Sequence, residues 1–83
     1  MPLYMDIHQK VDGLTAEAVA GAHKRDLEVQ DKHGVAYLKY WFDEYSGRVF
    51  CLVNAPSKEA AVAVHREAHG LVADDITEVR EGA

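Results

Sequence analysis

The sequence predicts a small α+β domain with the order strand, helix, strand, strand, helix, strand, and three observations carry that expectation. Period-two stretches bounded by turn residues alternate with alanine-rich stretches of helical composition; two apolar runs are separated by only a short glycine-bearing loop; and 83 residues leave room for one core. Hydrophobic residues make up 48% of the chain and charged residues 28%, which is globular composition and excludes intrinsic disorder. The domain is expected to span residues 1–83 without a linker, repeat or low-complexity segment.

Leu3-Tyr4-Met5-Asp6-Ile7-His8 alternates apolar and polar residues, as a half-covered strand does, and Asp12-Gly13 follows it as a turn signal. From Ala16 to Lys32 the chain is rich in alanine, leucine, glutamate and lysine, with Thr15 ahead of it and Glu17 in the first turn, so a helix is expected there. His33-Gly34 ends it, because glycine adopts the left-handed conformation that closes helices.

Val35 to Phe42 and Arg48 to Val53 are dense in aromatic and β-branched residues, and the loop between them contains Ser46-Gly47, so the two form a hairpin. Ser57 is an N-cap candidate for a second helix that runs to His69 and stops at Gly70. The last strand is Asp75 to Val79.

Right-handed crossovers give this order one familiar solution, the ferredoxin-like βαββαβ fold, with both helices on one face of a four-stranded antiparallel sheet. Parity divides the first strand into Leu3, Met5 and Ile7 against Tyr4, Asp6 and His8. On that reading Asp6, His8, Tyr37, Trp41 and Cys51 lie on the face away from the helices, which is too apolar to leave in water. A second subunit's sheet would cover it, as in dimeric α/β-barrel assemblies, so a homodimer is expected.

The net charge is −5 and no stripe of lysine or arginine is available to track a phosphate backbone, which argues against nucleic acid as a partner. The start, MPLYMDIHQK, lacks a signal peptide's apolar region, and no apolar stretch is long enough to span a bilayer. The single cysteine, Cys51, cannot form an intrachain disulfide and suits a reducing compartment, so the expected location is cytoplasmic, away from membranes.

Five histidines, at positions 8, 23, 33, 65 and 69, are the unusual part of the composition. His65 and His69 stand four apart on the second helix, with β-carbons about 6 Å from each other, a spacing at which two imidazoles can share one ion. Arg66 stands where a zinc protease helix carries glutamate, which excludes that reading. Antiparallel packing of the helices sets His23 and Asp26 opposite the pair, while His8 is expected on the far sheet face, as a second site or as a ligand across a dimer. Imidazoles with carboxylates favour nickel, zinc, copper or cobalt over magnesium or calcium. Each residue also has a plainer role. The histidine pair can be a polar helix face, Asp26 part of a solvated charged face, Cys51 a small core residue, and His33 a favourable charge at a helix C-terminus.

The segments Asp6-Ile7-His8, Ala22-His23, Asp26-Leu27, Gln30, Gly34-Val35, Tyr40-Trp41-Phe42-Asp43, Val49-Phe50-Cys51-Leu52, Ala55-Pro56 and His65-Arg66-Glu67-Ala68-His69-Gly70 occur in this order along nearly the whole chain. Together they resemble the small actinobacterial nickel-binding proteins of Streptomyces type. The resemblance implies a ferredoxin-like homodimer that binds nickel, with sequestration or detoxification of excess metal as its role, and on this reading no catalytic turnover is expected. His8, His23, Asp26, His65 and His69 are the candidate ligands. Two other functions remain open: a small-ligand binder or enzyme using the space between two sheets, lined by Asp6, His8, Tyr37, Trp41 and Cys51, and a ligand-free assembly module.

Overall fold

The computed structural model describes residues 1–83, and its elements follow the expected order: β1 (Leu3–His8), α1 (Ala16–Val29), a 3₁₀ turn (Gln30–His33), β2 (Ala36–Asp43), β3 (Arg48–Asn54), α2 (Lys58–Ala68) and β4 (Asp75–Val79). Each helix begins on a capped residue. The Thr15 hydroxyl accepts from the Ala18 amide at 3.0 Å and the Ser57 hydroxyl from the Ala60 amide at 3.2 Å, contacts worth about 1 kcal/mol each. The expected run to Lys32 is α-helical only as far as Val29, after which the backbone tightens into the 3₁₀ turn. Gly34, at φ 67°, closes it. Gln30 accepts from the Tyr37 amide at 2.8 Å, which ties the end of the helix to the start of β2.

The four strands are ordered β2-β3-β1-β4, every neighbouring pair antiparallel, which is the ferredoxin-like arrangement. Both helices lie on one face. That face carries Tyr4, Asp6 and His8 from β1, Val49, Cys51 and Val53 from β3, and Tyr37 from β2, all buried, with Val19, Ala61 and Val64 of the helices packed in the same core.

The faces are therefore the reverse of the expectation for β1. Tyr4, Asp6 and His8 lie beneath the helices, and Leu3, Met5 and Ile7 on the other side. Tyr37 and Cys51 go with the helix-covered set. Trp41 does not, because an irregularity in β2 between Tyr37 and Lys39 shifts the register, so that Tyr40 stands opposite Cys51 and Trp41 opposite Phe50. The uncovered face carries Leu3, Met5, Ile7, Phe50, Leu52 and Trp41, the last 48% exposed, with Lys39 and Thr77 beside them in the register.

Candidate metal centre

The first strand delivers two acid–base groups to the helix–sheet interface, because Asp6 and His8 are two residues apart and share a face. The antiparallel register sets Cys51 directly across from Asp6. From above, α2 contributes His65, three residues before its C-terminal residue Ala68, and α1 contributes Asp26. Asp6, Asp26, His8 and His65 are all buried.

His65 is the centre of the cluster. Its Nδ1 lies 2.9 Å from Asp26 Oδ1 in a hydrogen bond, and its Nε2 lies 3.0 Å from Asp6 Oδ2. The second distance is that of a hydrogen bond but the direction is not, so this contact is an ion pair and leaves His65 Nε2 without a hydrogen-bond partner. Asp6 Oδ1 also has none; His8 Nε2 lies 3.5 Å from it. The Tyr37 hydroxyl donates to Asp6 Oδ2 at 2.9 Å and lies 3.1 Å from the Ala61 carbonyl oxygen, while the Tyr37 ring stacks on His65 with centroids 4.4 Å apart.

His69 follows the last residue of α2, and its side chain is folded inward. Its Nε2 lies 3.0 Å from Asp26 Oδ1, and its Nδ1 accepts the Leu71 amide at 3.1 Å. A ring nitrogen that accepts carries no proton, so the proton of neutral His69 is on Nε2, directed at Asp26. Gly70, at φ 80°, provides the reversal that brings Leu71 back over the ring.

Electrostatics follow from burial and pairing. Burial opposes the charged form of His65, but the hydrogen bond to Asp26 and the contact with Asp6 outweigh it and raise the pKa to about 11. Burial likewise works against both carboxylates, and their histidine partners hold Asp6 and Asp26 below the usual carboxylate range. Burial pushes the Cys51 thiol up to about 11 and raises the Tyr37 phenol further, with Asp6 adding to the effect. In the metal-free protein His65 is thus an imidazolium between two carboxylates, beside a protonated thiol.

Four of the five residues singled out in the sequence come together here: His8, Asp26, His65 and His69. His23 does not join them; its ring packs against Tyr40 with centroids 4.8 Å apart, at the edge of the same cleft. Asp6 and Cys51 complete the cluster, and sequence reasoning had assigned them to the opposite face. They are cross-strand partners in the β1–β3 ladder, a long-range pairing whose register no turn in the sequence fixes. His33 instead bonds Glu67 at 3.1 Å and ties the 3₁₀ turn to α2.

Two overlapping groups have ligand-type atoms within 4.8 Å of one another: Asp6, His8, Cys51 and His65, and Asp26, His65 and His69. Imidazole, thiol and carboxylate together are the donor set of a borderline transition metal, and buried polar atoms without partners are what a missing cation would leave. The residues fit such an ion. An apolar cleft leads to them between α1 and the ends of β1 and β3, walled by Val11, Leu14, Val19, Val49 and Leu71. It lies on the helix side of the sheet, so the pocket expected between two sheets, with Trp41 in its lining, is not the one found here.

Fold and site define a ferredoxin-like α+β protein with a cluster of histidine, carboxylate and thiol groups that could hold a metal ion gathered between its helices and sheet. The family described as nickel responsive protein SCO4226-like matches residues 4–79, and the chain belongs to that family. Its structure is similar to the crystal structure of SCO4226 from Streptomyces coelicolor A3(2), at 38% sequence identity and a TM-score of 0.90, covering 98% of this chain and 99% of that one. No curated protein matches the chain.

Proposed function

We propose that this protein binds a divalent transition metal, with nickel as its cargo, and sequesters it without catalytic turnover. The observation that carries this reading is the position of His65, which belongs to both groups of ligand atoms and has a buried nitrogen without a hydrogen-bond partner. The family's description as nickel responsive supports nickel within a donor set that zinc, copper and cobalt share. His8, Asp26, His65 and His69 form the site or its immediate support, and His23, on the edge of the cleft, is an outer ligand on the way in.

The working unit of this reading is one domain over residues 1–83, paired as a cytoplasmic homodimer. The exposed apolar sheet face supports the pairing, and the single free cysteine supports a reducing compartment. No helix is long and apolar enough to cross a membrane.

Calorimetric titration of chelator-stripped protein with nickel, zinc, copper and cobalt, repeated on His65→Gln, tests the function. Saturable nickel binding that the variant loses is the expected result, with far-UV circular dichroism verifying that the variant is folded. No saturable binding to the wild type, or equal binding to both, would discard it.

A further inference from the structure

One wall of the cleft that reaches the cluster is held differently from the others. We infer that residues 71–73, the connection between α2 and β4, form a gate with the Leu71 side chain as its moving part, which sets how fast small species pass between solvent and the buried groups. Applied to nickel, the inference rests on the metal-binding reading. As a statement about access to the cluster, it stands apart from that reading.

Both ends of the connection are fixed. The His69 and Gly70 amides donate to the His65 carbonyl at 3.1 and 2.9 Å and so close α2. At the far end the Asp74 amide donates to the Ile7 carbonyl at 2.9 Å, and the Asp74 carboxylate accepts from the Gln9 amide at 2.7 Å. Between these anchors no hydrogen bond joins the backbone of residues 71–73 to another element; the Leu71 amide reaches only His69 Nδ1, two residues back, at 3.1 Å. A segment with so few bonds to its surroundings opens far more easily than the whole fold. Gly70 supplies the pivot. It sits at φ 80°, where glycine turns at no steric cost, and a β-carbon added there would meet nothing within 4 Å.

Leu71 lines the cleft and is nevertheless 46% exposed, so its side chain stands at the boundary between cleft and solvent. The facing walls are tied down. Val19 belongs to α1 and Val49 to β3, while the Val11 amide donates to the Gly47 carbonyl at 2.8 Å. With a volume of about 70 Å³, the cleft is smaller than the roughly 150 Å³ cavity that admits benzene, so a species of that size passes only when a wall gives way. Of the walls, the Leu71 side has the least to hold it.

Cys51 is free, buried and in the lining of the cleft, so thiol modification of the metal-free protein reads access directly. With methyl methanethiosulfonate the Cys51 thiolate, its proton given to buffer, forms a disulfide bond to the reagent's methylthio sulfur and methanesulfinate leaves. Truncating a half-buried leucine gives up burial equivalent to about tenfold in the open population, so at one fixed pH Leu71→Ala should be modified about tenfold faster than the wild type. Leu27→Ala, at a leucine of α1 that is 43% exposed and outside the cleft, should match the wild type. The rates should be nearly independent of low concentrations of urea, as for a local opening. Equal rates in Leu71→Ala and the wild type, equal acceleration in Leu27→Ala, or a urea dependence as steep as that of global unfolding would overturn the gate. In stopped-flow mixing with nickel, Leu71→Ala should speed association and dissociation by the same factor and leave Kd unchanged, the signature of a barrier as opposed to a ligand. A changed Kd at an unchanged association rate would also overturn it. A wild type that takes up no nickel would remove the metal-binding reading and leave the modification rates to decide the gate.

Discussion

Asp26 on α1 and His65 on α2, 39 residues apart in sequence, meet through a buried 2.9 Å contact between Oδ1 and Nδ1. The contact latches the two helices together over the sheet, and Asp26 is also the acceptor facing His69. Removing one partner of a buried ion pair leaves the other charge uncompensated, which costs about 3–5 kcal/mol. Asp26→Ala should therefore lower the stability of the metal-free protein by that amount in urea denaturation. A loss below about 0.5 kcal/mol, typical of neutral surface sites, would show that the latch contributes nothing.

The same cluster sets how metal-free stability depends on pH. The His65 pKa is raised from 6.5 to about 11, so its contribution is complete below pH 6.5 and is lost as pH rises through about 11. Asp6 and Asp26 are lowered from 3.8, so theirs is complete above that value and is lost as pH falls through their folded-state pKa values. The groups facing His65 are Asp6 and His8 from β1, Asp26 from α1, Tyr37 from β2, Cys51 from β3, and His69 beyond α2. Melting temperature should be highest between about pH 4 and 6.5 and decline on both sides. The alkaline decline should flatten in His65→Gln; a wild type equally stable at pH 6 and pH 9 would contradict the account.

The proposed metal binding has its own pH dependence, opposite in sense on the alkaline side. Ligation by the group of Asp6, His8, Cys51 and His65 would require neutral His65 and ionised Cys51, and both groups are held protonated with pKa values of about 11. Each ion should therefore displace about two protons near pH 7, and affinity should weaken as pH falls. Calorimetry in buffers of different ionisation enthalpy measures this number directly. Release of no protons would mean that neither group is a ligand.

Tyr37 is the single hydrogen-bond donor fixing Asp6, and its ring also stacks on His65. Tyr37→Phe preserves the stacking and the packing volume but removes the hydroxyl, leaving the buried carboxylate short of a donor. A destabilisation of about 1–3 kcal/mol is expected in chemical denaturation, the range for an unsatisfied buried polar group.

Element order and sheet topology were legible in the sequence because caps, turn glycines and alternation all agree along the chain. Which side of β1 would be covered was not. Leu3, Met5 and Ile7 are apolar while Tyr4, Asp6 and His8 are polar, and the usual logic buries the apolar set. Here the polar set is buried because Asp26, His65 and Tyr37 come from other elements to satisfy it, and such long-range compensation leaves no trace in a local pattern. One shift in register also separated Tyr37 from Trp41, which share parity in sequence but face opposite ways in the sheet. The spacing of His65 and His69 correctly placed both rings on one side of α2, with centroids 4.8 Å apart. It did not disclose that the Leu71 amide would engage one of them.

The reversed parity changes what the uncovered face has to offer. Leu3, Met5, Ile7, Phe50, Leu52 and Trp41 form an apolar surface across three strands, and pairing it with a second copy would remove it from water. Leu52 stands between Met5 and Lys39 in the register, near the middle of that surface, so a charge placed there would be buried without a partner in a dimer. Sedimentation equilibrium should give twice the 9.2 kDa chain mass for the wild type and the single mass for Leu52→Lys. Trp41, the only tryptophan, should emit further to the red in the variant as its ring becomes solvated. Because the proposed metal ligands lie on the opposite face of the sheet, the Leu52→Lys monomer should retain nickel binding. A wild type that sediments at 9.2 kDa at every concentration would refute the pairing. A monomeric variant that loses nickel would instead show that the interface and the metal site are coupled through the sheet.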